Sequence, residues 1–193
     1  MESSGPTLEQ LLIRLARLLP STDTFAETAF RSSTPQYAAE PDLLTGEGSR
    51  RHGGRWNPIG IAALHAPLTP ESAMAETLAH HRYYGLPVED AMPRMFVAME
   101  ARLRSVLDFR RGSVRQRIRV SLDRIMTLDW RKEVRAGRDP ITQTIGRAAS
   151  QLGWEGMVVP SAADPKGCNL LVFPQNLQSG SEVRVLHPDR LAN

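Results

Sequence analysis

Residues 140–186 read PITQTIGRAASQLGWEGMVVPSAADPKGCNLLVFPQNLQSGSEVRVL. Pro140 to Leu152 reads as a helical segment. The remainder holds three short apolar runs, Gly156 to Pro160, Asn169 to Phe173 and Glu182 to Leu186. Short apolar runs bounded by Gly, Pro, Asp and Ser read as strands. Strands that follow one another without an intervening helix break the alternation of a doubly wound sheet, so the expected class is α+β.

Working outward, Ile61 to Ala66 is a short apolar run that reads as a buried strand. Thr69-Pro70-Glu71 then opens a helix, with Thr69 as cap and Pro70 at the first helical position, running to about His81. Arg94 to Leu103 and Ser105 to Phe109 read as two strands, followed by helical segments near Val114 to Arg117 and Leu122 to Arg135. Thr24 to Arg31 suggests a strand. Ser32 to Gly60, rich in Pro, Gly, Ser and charge, reads as a long loop with little regular structure. Leu8, Leu11, Leu12, Leu15, Leu18 and Leu19 form a helical stripe capped by Thr7 and stopped by Pro20. The expected organisation is a helical extension over residues 1–22 and one domain over 23–193.

The 193 residues suit a single domain, and 41% hydrophobic with 23% charged residues is an ordinary globular balance. The one cysteine, Cys168, excludes an internal disulfide and any CxxC metal site. The acidic, then amphipathic N-terminus is no secretory signal, and no apolar run approaches the roughly 20 residues of a spanning helix; the expected compartment is the cytoplasm. Net charge is +3, and Lys132 and Lys166 are the only lysines. Between Arg102 and Arg119, seven arginines face one acid, Asp108. Such a run is a solvated face, or a surface for an acidic protein or nucleic acid.

Four places carry side chains suited to chemistry. Arg31 ends a strand. Residues 46–58, GEGSRRHGGRWNP, combine glycines that let the backbone approach a ligand with arginines that grip phosphate. This loop is neither a Walker loop nor a dinucleotide fingerprint, and an ordinary surface loop has the same composition. Glu76 shares a helix side with Ala73 and His80, with Ala79 nearby; the small alanines allow close packing, although a lone helix glutamate is commonly just solvated. Ser161 follows an apolar strand and precedes a turn that it could simply satisfy; GxSxG is absent. The five histidines lack metal-ligand spacing, so no metal site is expected.

Taken in order, FRSS, GGRWNPIG, TPESAMAETLAH and VVPSAADPKGCNLLVF, spanning about residues 27–173, resemble the RES domain, a family named for an arginine, a glutamate and a serine. The matching residues here are Arg31, Glu76 and Ser161. The resemblance implies a compact mixed-sheet core similar to diphtheria-type ADP-ribosyltransferases. It also implies an NAD-consuming toxin of a bacterial toxin–antitoxin pair, acting by hydrolysis or phosphorolysis, with protein ADP-ribosylation as the alternative. The implied partner is an antitoxin with a helix-turn-helix domain that covers the active site. Relatives often carry a tyrosine at the end of the strand before the glutamate helix. Here His65 stands there, a ring that can stack but that ordinarily titrates near neutrality; Tyr37 could supply a ring instead.

Under this reading NAD is the substrate, with no metal and no direct nucleic-acid binding. Arg31 and Arg55 hold phosphate or ribose, with Arg51 a further phosphate candidate. His65 lines the nicotinamide end. Glu76 holds the ribose hydroxyls and stabilises the cation. Ser161 orients Glu76 or Arg31, or binds near the nicotinamide. The competing class is a non-catalytic basic binding module.

Overall fold

A computed structural model describes residues 5–19, 22–35 and 43–187. The elements are α1 (Leu8–Ala16), β1 (Asp23–Ser33), α2 (Glu47–His52), β2 (Leu64–Pro67), α3 (Pro70–Tyr83), β3 (Met95–Asp108), α4 (Gly112–Ile118), α5 (Leu122–Thr127), α6 (Trp130–Arg135), α7 (Ile141–Gln151), β4 (Gly156–Pro160), β5 (Cys168–Val172) and β6 (Glu182–Val185). The fold is mixed α+β. Pro20 and Tyr37 lie outside the described residues.

The six strands form one sheet in the order β1-β3-β4-β5-β2, with β6 paired to β3. β3 pairs with β1 antiparallel along most of its length and with β4 in parallel over Val106 to Asp108. β5 is antiparallel to both β4 and β2. Apolar material covers both faces. Met157, Val159, Leu171 and Phe173 point into a core shared with Leu11 and Leu15 of α1 and Ile145 of α7. Val158, Leu170 and Val172 point into a second core with Phe25, Leu64 and Met99. This alternation across two covered faces is why the strands read as unbroken apolar runs. α1 begins at Thr7 as expected, in a reciprocal capping box with Gln10.

The structure corrects four local expectations. The span from Ser32 to Gly60 contains the end of β1 and helix α2. That helix buries no residue, so it leaves no apolar period to read, and Glu47 supports it through bonds to Arg50 and Arg51. β2 begins at Leu64 rather than Ile61. The two strands expected between Arg94 and Phe109 are the single strand β3. Past its pairing with β6, the backbone N–H groups of Arg104 and Ser105 donate to the buried Glu155 carboxylate, which bridges the gap before pairing with β4 begins at Val106. The helix expected from Leu122 to Arg135 is two helices. Leu128 is extended, and Asp129 caps α6 by accepting from the Lys132 N–H.

Candidate functional site

Helix α3 and the loop after β4 build the centre of the site. Thr69 caps α3 through the Ser72 N–H, and Pro70 occupies its first turn. The Ser72 hydroxyl donates to Asp164 at 2.7 Å, which fixes the helix start against the β4–β5 loop. Ala73 and Thr77 are buried, and Thr77 donates to Ser32 at the end of β1. Between them, Glu76 faces a cleft. Its Oε1 accepts from Ser161 Oγ at 2.6 Å and from Asn169 Nδ2 at 2.8 Å. Among the described residues, Oε2 has no hydrogen-bond partner.

The Ser161 hydroxyl contacts Glu76. Ser161 is fully buried, and its oxygen also accepts the N–H groups of Ala163 and Asp164. Asn169 was not singled out in the sequence; an asparagine inside a strand pattern carries no signal until the strand is paired. Its Oδ1 is buried with no hydrogen-bond partner among the described residues.

The loop through Gly46 to Pro58 is a tightly fastened corner. Asn57 donates to the carbonyls of Ser49 and Ile61, and Ser49 Oγ donates to the Ala63 carbonyl. Trp56 is buried with its carbonyl against Gly146 of α7, where a Cβ would sit 1.6 Å from that oxygen. Gln143 holds the Gly54 carbonyl at 2.8 Å. These ties set Arg55, whose Nη1 donates to the Ile125 carbonyl at 3.0 Å. Burial lowers the Arg55 pKa, while the Glu76 charge acts in the opposite direction.

Glu76, His65 and Asn169 line two adjoining cavities. The larger, about 460 Å³, also meets Arg55, Trp130 and Arg131. The smaller, about 220 Å³, also meets Arg31, Ser32 and Thr77. Arg55 and Arg31 therefore border different cavities that share Glu76. Arg31 donates to the Leu43 carbonyl at 3.2 Å, and burial lowers its pKa. Arg51 stands apart from these two cavities. It lines a third, also bordered by Arg31, and pairs with Glu47 at 2.6 Å. Arg94, also unflagged by the sequence, borders that third cavity and donates to Ser32 Oγ at 2.9 Å.

His65 departs from the expectation of titration near neutrality. Burial, helped by the Arg31 charge, pushes its pKa down to about 4. Asn57 spends its amide N–H groups on two carbonyls, so its Oδ1 must accept, and His65 Nε2 carries the proton of their 2.9 Å bond. The ring is neutral at pH 7.

The expected basic stretch is divided by the fold. Arg110 pairs with Asp108, Arg111 with Asp23 and Arg102 with Glu100. Arg115 donates to the carbonyls of Phe109 and Arg110. No helix among the described residues is long and apolar enough to cross a membrane.

Comparison with known proteins places this geometry. The chain is 30% identical over 145 residues to the Prs ADP-ribosylating toxin of Sphingobium sp., covering 75% of this chain and 81% of that protein. It is 27% identical over 162 residues to the NAD(+) phosphorylase MbcT of Mycobacterium tuberculosis, covering 82% and 80%. The crystal structure of the M. tuberculosis MbcT–MbcA toxin–antitoxin complex contains a chain that superposes with a TM-score of 0.67 at 26% identity, covering 95% of each. The RES domain profile matches residues 28–192, a span that includes Arg31, Glu76 and Ser161, and the chain belongs to the RES domain family.

Proposed function

We propose that this chain is an NAD-consuming toxin that cleaves the nicotinamide–ribose bond, and that its partner is an antitoxin with a helix-turn-helix domain. The observation that carries the enzymatic reading is the Glu76 carboxylate, held through Oε1 by Ser161 and Asn169 and lining two adjoining cavities, one bordered by Arg55 and the other by Arg31. The relatives that act on NAD and the solved toxin–antitoxin complex support it.

In the reaction, the ribose C1′–N bond breaks and its electron pair moves to the pyridinium nitrogen, so nicotinamide leaves neutral and needs no general acid. Positive charge grows on the ribose, as in other glycosyl transfers. Glu76 stabilises that charge and takes ribose hydroxyls on Oε2. Arg31 and Arg55 hold phosphate or ribose, fixing the sugar against the carboxylate. His65, neutral, lines the nicotinamide end without adding a positive charge beside the pyridinium. An acceptor oxygen then bonds to C1′ and loses its proton, yielding ADP-ribose with water or its 1-phosphate with inorganic phosphate.

The 30% identity to an ADP-ribosylating toxin favours one second reading, transfer to a protein. The test is NAD loss with purified protein, with and without phosphate, alongside mass spectrometry of cell proteins after expression. Phosphate-dependent loss gives phosphorolysis, phosphate-independent loss gives hydrolysis, and a covalent protein adduct gives transfer. Glu76→Gln should reduce NAD loss by roughly 10²–10³-fold. Equal turnover by Glu76→Gln would remove the carboxylate's role.

A further inference from the structure

Part of the lining of the 460 Å³ cavity has a composition that bond cleavage at Glu76 does not require. The end of α3 supplies His80, Tyr83 and Tyr84, and the start of α6 supplies Trp130 and Arg131. The Arg131 guanidinium lies 4.5 Å from the Trp130 ring centre, 4.7 Å from Tyr83 and 5.7 Å from Tyr84. The assembly is braced. Tyr83 donates to Asp129 and accepts from Arg135, and His80 packs 4.9 Å from Tyr84 while its Nδ1 lies 3.4 Å from Arg131. Tyr84 nevertheless stays 54% exposed.

We infer that this wall is the adenylate subsite, with the adenine ring stacked against Arg131, Trp130 and Tyr84 and the adjoining pyrophosphate on Arg55. The inference rests on the NAD-cleaving reading. Along α3, Glu76, Ala79, His80 and Tyr83 follow one another on the cavity wall. Glu76 marks the ribose at which the bond breaks. Arg55 lines this same cavity together with Glu76 and Arg131, where a pyrophosphate attached to that ribose would meet it. The wall offers aromatic faces and a guanidinium plane, the surfaces on which nucleobases stack. Its positive charge suits a phosphate-bearing, neutral base. The nicotinamide ring is left to the 220 Å³ cavity that Glu76 also lines, with His65.

Nicotinamide mononucleotide, which lacks the adenylate, separates this subsite from the chemistry. Wild-type protein should prefer NAD over nicotinamide mononucleotide in kcat/KM. Arg131→Ala and Tyr84→Ala should each reduce that preference by roughly 5- to 100-fold, mainly through KM for NAD. An unchanged ratio overturns the subsite even where both rates fall, and so does a wild-type enzyme with no preference. AMP binding, followed by tryptophan fluorescence, reads the wall without turnover. AMP should change the wild-type signal and leave that of Trp130→Phe unchanged; no response in the wild type overturns the subsite. If AMP binds at Trp130 while NAD is not cleaved, the catalytic reading fails and the subsite stands.

Discussion

Ser161 Oγ donates to Glu76 Oε1 at 2.6 Å across 85 residues of chain. The same oxygen accepts the N–H groups of Ala163 and Asp164. With those positions taken, the hydroxyl proton points at the carboxylate. In the proposed reaction Ser161 acts as a positioning residue, its orientation set by the turn that follows β4. Removing it should lower kcat for NAD cleavage by roughly 10- to 100-fold, the worth of a hydrogen bond to a charged group, with little change in KM. Steady-state kinetics of Ser161→Ala and Ser161→Thr check this. The threonine variant keeps the hydroxyl and should retain more activity; equal losses in both would argue against the hydrogen bond.

His65 links the site to acid stability. Its pKa is about 4 in the folded protein against an ordinary value near 6.5 when unfolded. Between those values the unfolded chain binds more protons, so stability falls as pH drops from about 6.5 to about 4 and is insensitive to this group above that window. His65→Gln keeps a donor for Asn57 Oδ1 but does not titrate. Chemical denaturation across this range should show a shallower decline for the variant. Parallel curves would sink the assignment. The activity profile of the wild type should likewise show no inflection near pH 6.5 that His65→Gln removes.

Gly146 is the point where α7 meets the glycine-rich corner. A Cβ there would overlap the Trp56 carbonyl oxygen, a backbone atom fixed by the bonds around it. Gly146→Ala should therefore cost about 3 kcal/mol or more, seen as a fall in Tm of roughly 6–12 °C. Gly48, whose Cβ would meet nothing within 4 Å, is the control, and Gly48→Ala should leave Tm nearly unchanged. Similar melting of both variants would mean that the corner can shift away from α7.

The basic stretch divides into structural and available arginines. Arg115 donates to two carbonyls at the start of α4, so Arg115→Glu should lower stability whatever it does to binding. Arg117, on the same helix, makes no ion pair among the described residues. Arg117→Glu should leave Tm unchanged and slow association with an acidic antitoxin surface, an effect that salt suppresses. Stopped-flow association at two ionic strengths measures it, and equal rates for wild type and Arg117→Glu would clear this face of a role in capture.

Much of the architecture was written in local chemistry. Thr69-Pro70 marked the start of α3, Thr7 that of α1, and the successive apolar runs after Leu152 marked α+β. These signals are local because caps and alternation depend on neighbours a few residues away. α2 was hidden because it buries nothing, and β3 looked divided because the group that satisfies its backbone, Glu155, lies some 50 residues on.

The candidate site splits the same way. Arg31, Glu76 and Ser161 stood out through the family pattern, as side chains of the right chemistry in the right order. That Ser161 donates to Glu76, that Asn169 joins them, and that Arg55 shares a cavity with the carboxylate and an aromatic wall were decided by the tertiary fold. Strand pairing and helix packing bring together groups separated by tens of residues. The neutral state of His65 was decided there too, because a pKa is set by burial and neighbouring charge in the folded chain rather than by residue type.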